Sequence, residues 1–125
     1  MTTRLTLASY NIQFGRGRDM RFDIRRVADE VRRADIVAFQ EVTQGWQRTG
    51  NMDQAAELAA GLGYHHAFGT GFDVDAGSTI EDGRPVRRRR TFGNMVASRW
   101  PISSTRTLLL PKRSVHGVYD MQRCV

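Results

Sequence analysis

The strongest constraint on this chain is the stretch Ala34-Asp35-Ile36-Val37-Ala38-Phe39-Gln40-Glu41-Val42, where an unbroken apolar run, Ile36 to Phe39, stops at Gln40 and Glu41. A short apolar run bounded by polar residues reads as a strand buried on both faces. A carboxylate at the end of such a strand emerges where open α/β sheets bind their ligands, outside the strand tips. Two readings of Glu41 follow: a functional group on a rigid support, or a solvated glutamate where a strand meets its loop. A fully buried, unpaired Glu is rare, so burial in the core is the poorest fit.

The segments around this strand predict an α/β order. Leu5 to Ile12 reads as an earlier strand, with Leu5 and Leu7 on one face, Thr6, Ala8 and Tyr10 on the other, and Asn11 at its end. Gly15-Arg16-Gly17-Arg18-Asp19 is a loop, and its glycines match neither a dinucleotide-binding nor a Walker pattern. Asp23 is placed to cap a helix from Ile24 to Arg33, with Ile24, Val27, Ala28 and Val31 as its apolar stripe. Strand, helix and strand in this order predict a crossover unit with both strands in one sheet. Thr43 to Met52 reads as loop, Asp53 as a second cap, and Gln54 to about Ala60 as a helix stopped by Gly61 and Gly63. Tyr64 to Phe68 is a short strand, on which the adjacent His65 and His66 point to opposite faces and do not share a metal. Thr91 to Ser98 is a strand, Pro101 sets a turn, and Thr105 to Leu110 is the partner strand of a hairpin. Lys112 to Asp120 is loop, and Met121 to Val125 begins another strand.

Between these lies Gly69 to Arg90, the least ordered-looking part, ending in Arg87-Arg88-Arg89-Arg90. Such a run is either a solvated loop or a contact to a phosphate backbone. The net charge of +6 favours acidic partners such as phosphates or nucleic acid. Almost all of the positive charge is arginine, Lys112 being the single lysine, and guanidinium suits bidentate phosphate contacts. Cys124 is the only cysteine, which excludes an intrachain disulfide and a thiolate metal cluster. No stretch reaches membrane-spanning length and no leader is visible, so the expectation is a cytoplasmic protein of one domain over its 125 residues.

Three separated pieces, in order, resemble the endonuclease/exonuclease/phosphatase family of metal-dependent phosphoesterases. They are Ala8-Ser9-Tyr10-Asn11-Ile12-Gln13, Asp35-Ile36-Val37-Ala38-Phe39-Gln40-Glu41-Val42, and Phe92-Gly93-Asn94-Met95-Val96-Ala97-Ser98-Arg99-Trp100-Pro101-Ile102. Met121-Gln122-Arg123-Cys124-Val125 is similar to the start of the strand that follows in that family. The resemblance implies a four-layered α/β sandwich, two facing mixed sheets flanked by helices, and hydrolysis of a phosphodiester or phosphomonoester with Mg²⁺ or Mn²⁺. It implies that Glu41 is the metal-binding carboxylate, with Asn11 beside it in the metal shell or on the phosphate. For Asn94 two readings stand, shaping the substrate side or a structural role in its turn and strand, and Arg87–Arg90 are substrate-side candidates on their charge alone. A hard divalent cation takes oxygen ligands and keeps several waters, so one carboxylate plus substrate phosphate makes a plausible shell.

The chain also departs from the family pattern. A Thr-His-Leu-like strand, a Gly-Asp-Phe-Asn segment and a terminal Ser-Asp-His are all missing, and His116 is followed by Gly117 and Val118. Those segments carry the family's water-activating Asp and transition-state-stabilising His. The expectation is therefore the N-terminal half of such a domain over residues 1–125, truncated at its C-terminus, inactive by itself and awaiting the rest of the same domain. Two alternatives stand beside it: a non-catalytic basic module binding nucleic acid through Arg84 and Arg87–Arg90, and an inactive remnant.

Overall fold

The computed structural model describes residues 3–111 of the chain. Its elements run β1 (Leu7–Asn11), α1 (Ile24–Val31), β2 (Ile36–Gln44), α2 (Gln54–Leu62), β3 (His65–Asp75), β4 (Thr79–Glu81), β5 (Arg84–Val86) and β6 (Arg89–Ser98). Single 3-10 turns follow β1, at Gln13–Gly15, and β2, at Gln47–Thr49. The result is mixed α/β, as expected.

Four strands form one mixed sheet in the order β1-β2-β6-β3. β1 and β2 are parallel, from Leu7 opposite Ile36 to Asn11 opposite Gln40, which is the pairing the crossover order predicts. β6 runs antiparallel to both β2 and β3. One face of this sheet carries the core. Val37, Phe39, Met95 and Ala97 point there and meet Val27, Ala28 and Val31 of α1 and Ala55, Leu58 and Leu62 of α2. Asp23 and Asp53 cap these helices, accepting from Arg25 and Arg26 amides and from the Ala56 amide. Gly63, at φ +69°, ends α2 in the left-handed region that suits glycine.

The other face of the sheet has no helix among the described residues. Leu7 is 66% and Val96 43% exposed there, and Ile36 and Ala38 are half-buried. The expectation that β2 is buried on both faces is thus corrected: one face is buried and the other is open. The two faces read for β1 are kept, and it is Ala8 and Tyr10 that pack on the core while Leu7 faces out.

Several boundaries also differ from the sequence reading. α1 stops at Val31 rather than Arg33. α2 continues through Gly61 to Leu62, since Gly61 lies against the Ala28 methyl, where a small residue lets the helices approach. Gly69 to Arg90 is ordered structure. β3 runs on to Asp75, β4 and β5 make a small hairpin, and β6 begins at Arg89. Acidic side chains of this segment pair with its arginines: Arg88 with Glu81 at 2.5 Å and Arg89 with Asp73 at 2.8 Å. Thr105 to Leu110 is not a strand, apart from a bridge residue at Leu109. The partners of β6 are β2 and β3, both earlier in the chain. The strand expected from Met121 lies outside the described residues.

Candidate functional site

Glu41 does not stand at a strand tip. It lies inside β2, which continues to Gln44, and it occupies a bulge. Phe39 pairs with Met95 and Val42 with Gly93, so Gln40 and Glu41 together oppose the single residue Asn94. Glu41 takes φ +58°, a left-handed value that costs a non-glycine residue about 1 to 2 kcal/mol. The extra residue has a definite effect on side-chain direction. Phe39 and Val42 both stay fully buried on the helix side, and the two residues between them both leave it. Gln40 donates to the Ser9 hydroxyl of β1 at 3.2 Å. Glu41 accepts from Asn11 Nδ2 at 3.1 Å. In an unbulged strand successive side chains alternate, and Glu41 would point at the core.

Asn11 is held from its other end. Its Oδ1 accepts from the Gln13 amide at 3.1 Å, which leaves Nδ2 aimed at the carboxylate. Gln13 and Phe14 are themselves left-handed, at φ +47° and +48°. Three non-glycine residues in this conformation therefore cluster around one carboxylate. Strained backbone of this kind persists only where the surroundings over-determine it, and it concentrates at functional sites.

The structure thus brings Asn11 and Glu41 together and sets Asn94 across the bulge from them. Asn94 is half-buried, opposite Gly69 in register, and lines a groove of about 590 Å³ with Ile36, Val96, Ile102 and Thr105. The arginine run is spread over a different region. Arg87 and Arg88 join β5 to β6, and Arg89 and Arg90 lie in β6 near its start. Arg88 and Arg89 are already paired with acids, whereas Arg90 sits over the Trp46 ring at 6.0 Å.

Four residues absent from the sequence reading also shape the site. Arg48 lies 3.8 Å from the Phe14 ring centroid and 4.8 Å from that of Trp46, joining the loop after β1 to the loop after β2. Gly45, at φ +72°, lets the backbone of β2 approach the Arg89 carbonyl, which an added Cβ would overlap. Gln54 and Thr43 form a buried polar pair behind the bulge. Gln54 did leave a signal: it continues the Leu58, Leu62 spacing of four, a polar residue on an apolar stripe.

Glu41 offers a hard carboxylate oxygen at the edge of the open face. Among the described residues no three His, Cys, Asp or Glu side chains converge on one point. One carboxylate, backed by an amide that orients it, fits the protein's share of a shell for Mg²⁺ or Mn²⁺, cations that keep waters and take substrate phosphate oxygens. No helix among these residues is long and apolar enough to cross a membrane.

Comparison with known proteins places the chain in context. It matches the model of the Endonuclease/Exonuclease/phosphatase family over residues 8–123. It is similar to an endonuclease/exonuclease/phosphatase from Beutenbergia cavernae DSM 12333, with 30% identity and a TM-score of 0.64 over 86% of this chain and 29% of that one. An endonuclease/exonuclease/phosphatase family protein from Leptotrichia buccalis C-1013-b shares the fold at 16% identity and a TM-score of 0.59, over 97% of this chain and 47% of that one. The chain therefore spans less than half the length of either solved relative. No curated protein matches it.

Proposed function

The chain belongs to the endonuclease/exonuclease/phosphatase family, and from that premise we propose that it carries the cation side of a centre for hydrolysing phosphodiester or phosphomonoester bonds. The observation that carries this reading is the contact between Asn11 Nδ2 and the carboxylate of the left-handed Glu41. In this reading Glu41 is the metal ligand. Asn11 belongs to the metal site as the group that orients this carboxylate, since its own oxygen is occupied by the Gln13 amide. A bound Mg²⁺ or Mn²⁺ supplies charge stabilisation at the phosphoryl oxygens. Asn94 faces the substrate across the bulge, and Arg87 and Arg90 add positive charge for phosphate, Arg88 and Arg89 being engaged by their own acids.

The chain by itself is inactive in this reading, because positioning a nucleophile and stabilising the transition state need several groups at once. The remaining groups come from the rest of the same domain. A cytoplasmic location belongs to the same proposal, supported by the single cysteine. The test is Mn²⁺ titration of ¹⁵N-labelled protein. Paramagnetic broadening is expected first at Asn11, Gln40 and Glu41, and it is expected to vanish in Glu41→Gln. Broadening elsewhere, or unchanged in that variant, overturns the proposal. Mg²⁺-dependent phosphodiester cleavage by the purified chain, lost in Glu41→Ala, overturns its inactivity.

A second reading, a basic module that binds nucleic acid without metal, rests on Arg84 and Arg87–Arg90. The pairing of Arg88 and Arg89 within their own hairpin weakens it. It predicts binding that needs no divalent ion and falls steeply with salt.

A further inference from the structure

We infer that Gln54 is the positioning residue of the Asn11–Glu41 pair, an inference that rests on the cation-site reading for its functional consequence. Gln54 is the first residue of α2 and is 1% exposed. Its Nε2 donates to the Phe14 carbonyl at 2.7 Å. Its Oε1 accepts from both the amide and the hydroxyl of Thr43, at 3.1 Å and 3.0 Å. Phe14 lies three residues beyond Asn11, and Thr43 lies two residues beyond Glu41. One buried side-chain amide therefore grips the chain just past each member of the pair.

The consequence runs through covalent neighbours. Gln13 and Phe14 hold left-handed backbone angles, which need an outside restraint to persist. The bond to the Phe14 carbonyl is such a restraint, and it keeps the Gln13 amide where it meets Asn11 Oδ1. That contact in turn decides which way the Asn11 amide faces. On the other side, the bonds to Thr43 anchor β2 immediately after its bulge. Gly15 follows at φ +81°, a left-handed angle that suits glycine.

The chemistry requires a glutamine. A primary amide has donors and an acceptor on one planar group, so it can serve a carbonyl and an N–H together. Glutamate keeps the acceptor and loses the donor, leucine keeps neither, and asparagine is one methylene shorter. The support is rigid, since Ala55 and Leu58 of the same helix are fully buried. Partners that orient a metal ligand from behind typically change metal affinity by 10- to 100-fold when removed.

The experiment uses the 125-residue chain with Gln54→Leu, Gln54→Glu and Thr43→Val, and Leu58→Ala as a control that destabilises the same helix without touching either loop. The readouts are the side-chain amide signals of Asn11, the Mn²⁺ affinity and the thermal midpoint. In the unaltered protein the Asn11 signals shift on Glu41→Gln. In Gln54→Leu and Gln54→Glu they are expected to collapse towards those of a free asparagine and to stop responding to Glu41→Gln. Mn²⁺ affinity is expected to fall about tenfold. Thr43→Val, which removes one of three bonds, is expected to move the same signals less, and it decides the matter if the Gln54 variants do not fold. Leu58→Ala is expected to lower the midpoint and leave both other readouts unchanged. Unchanged Asn11 signals in the folded Gln54 variants, or an equal change in Leu58→Ala, overturn the inference. Absence of Mn²⁺ binding in the unaltered protein overturns the cation reading alone, and the Asn11 signals still decide the role of Gln54.

Discussion

At the scale of single residues, the backbone at Glu41 and the side chain at Glu41 have separable effects, and substitutions can divide them. Both Glu41→Ala and Glu41→Gly remove the carboxylate, so both are expected to abolish Mn²⁺ binding. Only glycine occupies φ +58° without a Cβ penalty. Glu41→Gly is therefore expected to be more stable than Glu41→Ala by about 1 kcal/mol, measured by denaturant unfolding. Equal stabilities would mean that the left-handed angle carries no strain. Gly93 is constrained for another reason. It has an ordinary backbone angle, but an added Cβ would overlap the Gly69 carbonyl oxygen of the adjacent strand. Gly93→Ala must push β3 and β6 apart and is expected to cost about 3 kcal/mol or to prevent folding. The glycine preceding Asn94 in the third family-like segment is in this light a packing requirement of the sheet.

At the scale of elements, the hairpin between β3 and β6 is held by its backbone ladder and carries exposed charge pairs at its far end, where a local pH dependence follows. The Asp75 carboxyl is held down to about 2, from an ordinary 3.8, by the Ser78 hydroxyl, the Ser78 and Gly77 amides and Arg89. Because the folded value is the lower one, its contribution is present above about pH 4 and is lost as pH falls towards 2. Protection of the Gly77 and Ser78 amides, relative to the free-chain exchange rate at each pH, is expected to fall over that window, and Asp75→Asn is expected to remove this pH dependence. The same hairpin shows why part of the fold was hidden in the sequence. Gly69 to Arg90 reads as a loop because glycines and charges punctuate it, yet the cross-strand pair Arg89–Asp73 and the pair between Arg88 of the β5–β6 connection and Glu81 of β4 make the charges self-complementary. The periodic elements were legible: both caps, the α1 stripe and the parallel β1–β2 pair follow from local patterning. The strand-tip position read for Glu41 from its apolar run was not met, because β2 continues to Gln44, whereas the nearness of Asn11 to Glu41 was an expectation of the family resemblance. The bulge that achieves it was written more faintly, as two polar residues between Phe39 and Val42, a spacing of three that an alternating strand cannot bury on one side. The stripe position of Gln54 marks it as buried but not what it binds, because its partners lie 40 and 11 residues away.

At the scale of the whole molecule, the described residues make a sheet with helices on one side and an open, partly apolar surface on the other. Leu7 and Val96 stand out on that surface, while Ile36 and Ala38 fill the space between them. Exposed apolar sheet faces drive association. The purified chain is expected to self-associate in sedimentation velocity, and Val96→Lys is expected to shift it towards monomer while changing stability by no more than about 0.5 kcal/mol. Unaltered association in that variant would place the contact elsewhere. The bulge in β2 has a further implication at this scale. Same-side groups on a regular strand recur only every 6.8 Å or so, but here two neighbours, Gln40 and Glu41, share one rung, the first turned to Ser9 and the second to Asn11. The ladder is in step again by Val42 and Gly93. One extra residue thus suffices to turn a carboxylate out of the helix side while the pairing before and after it keeps its course.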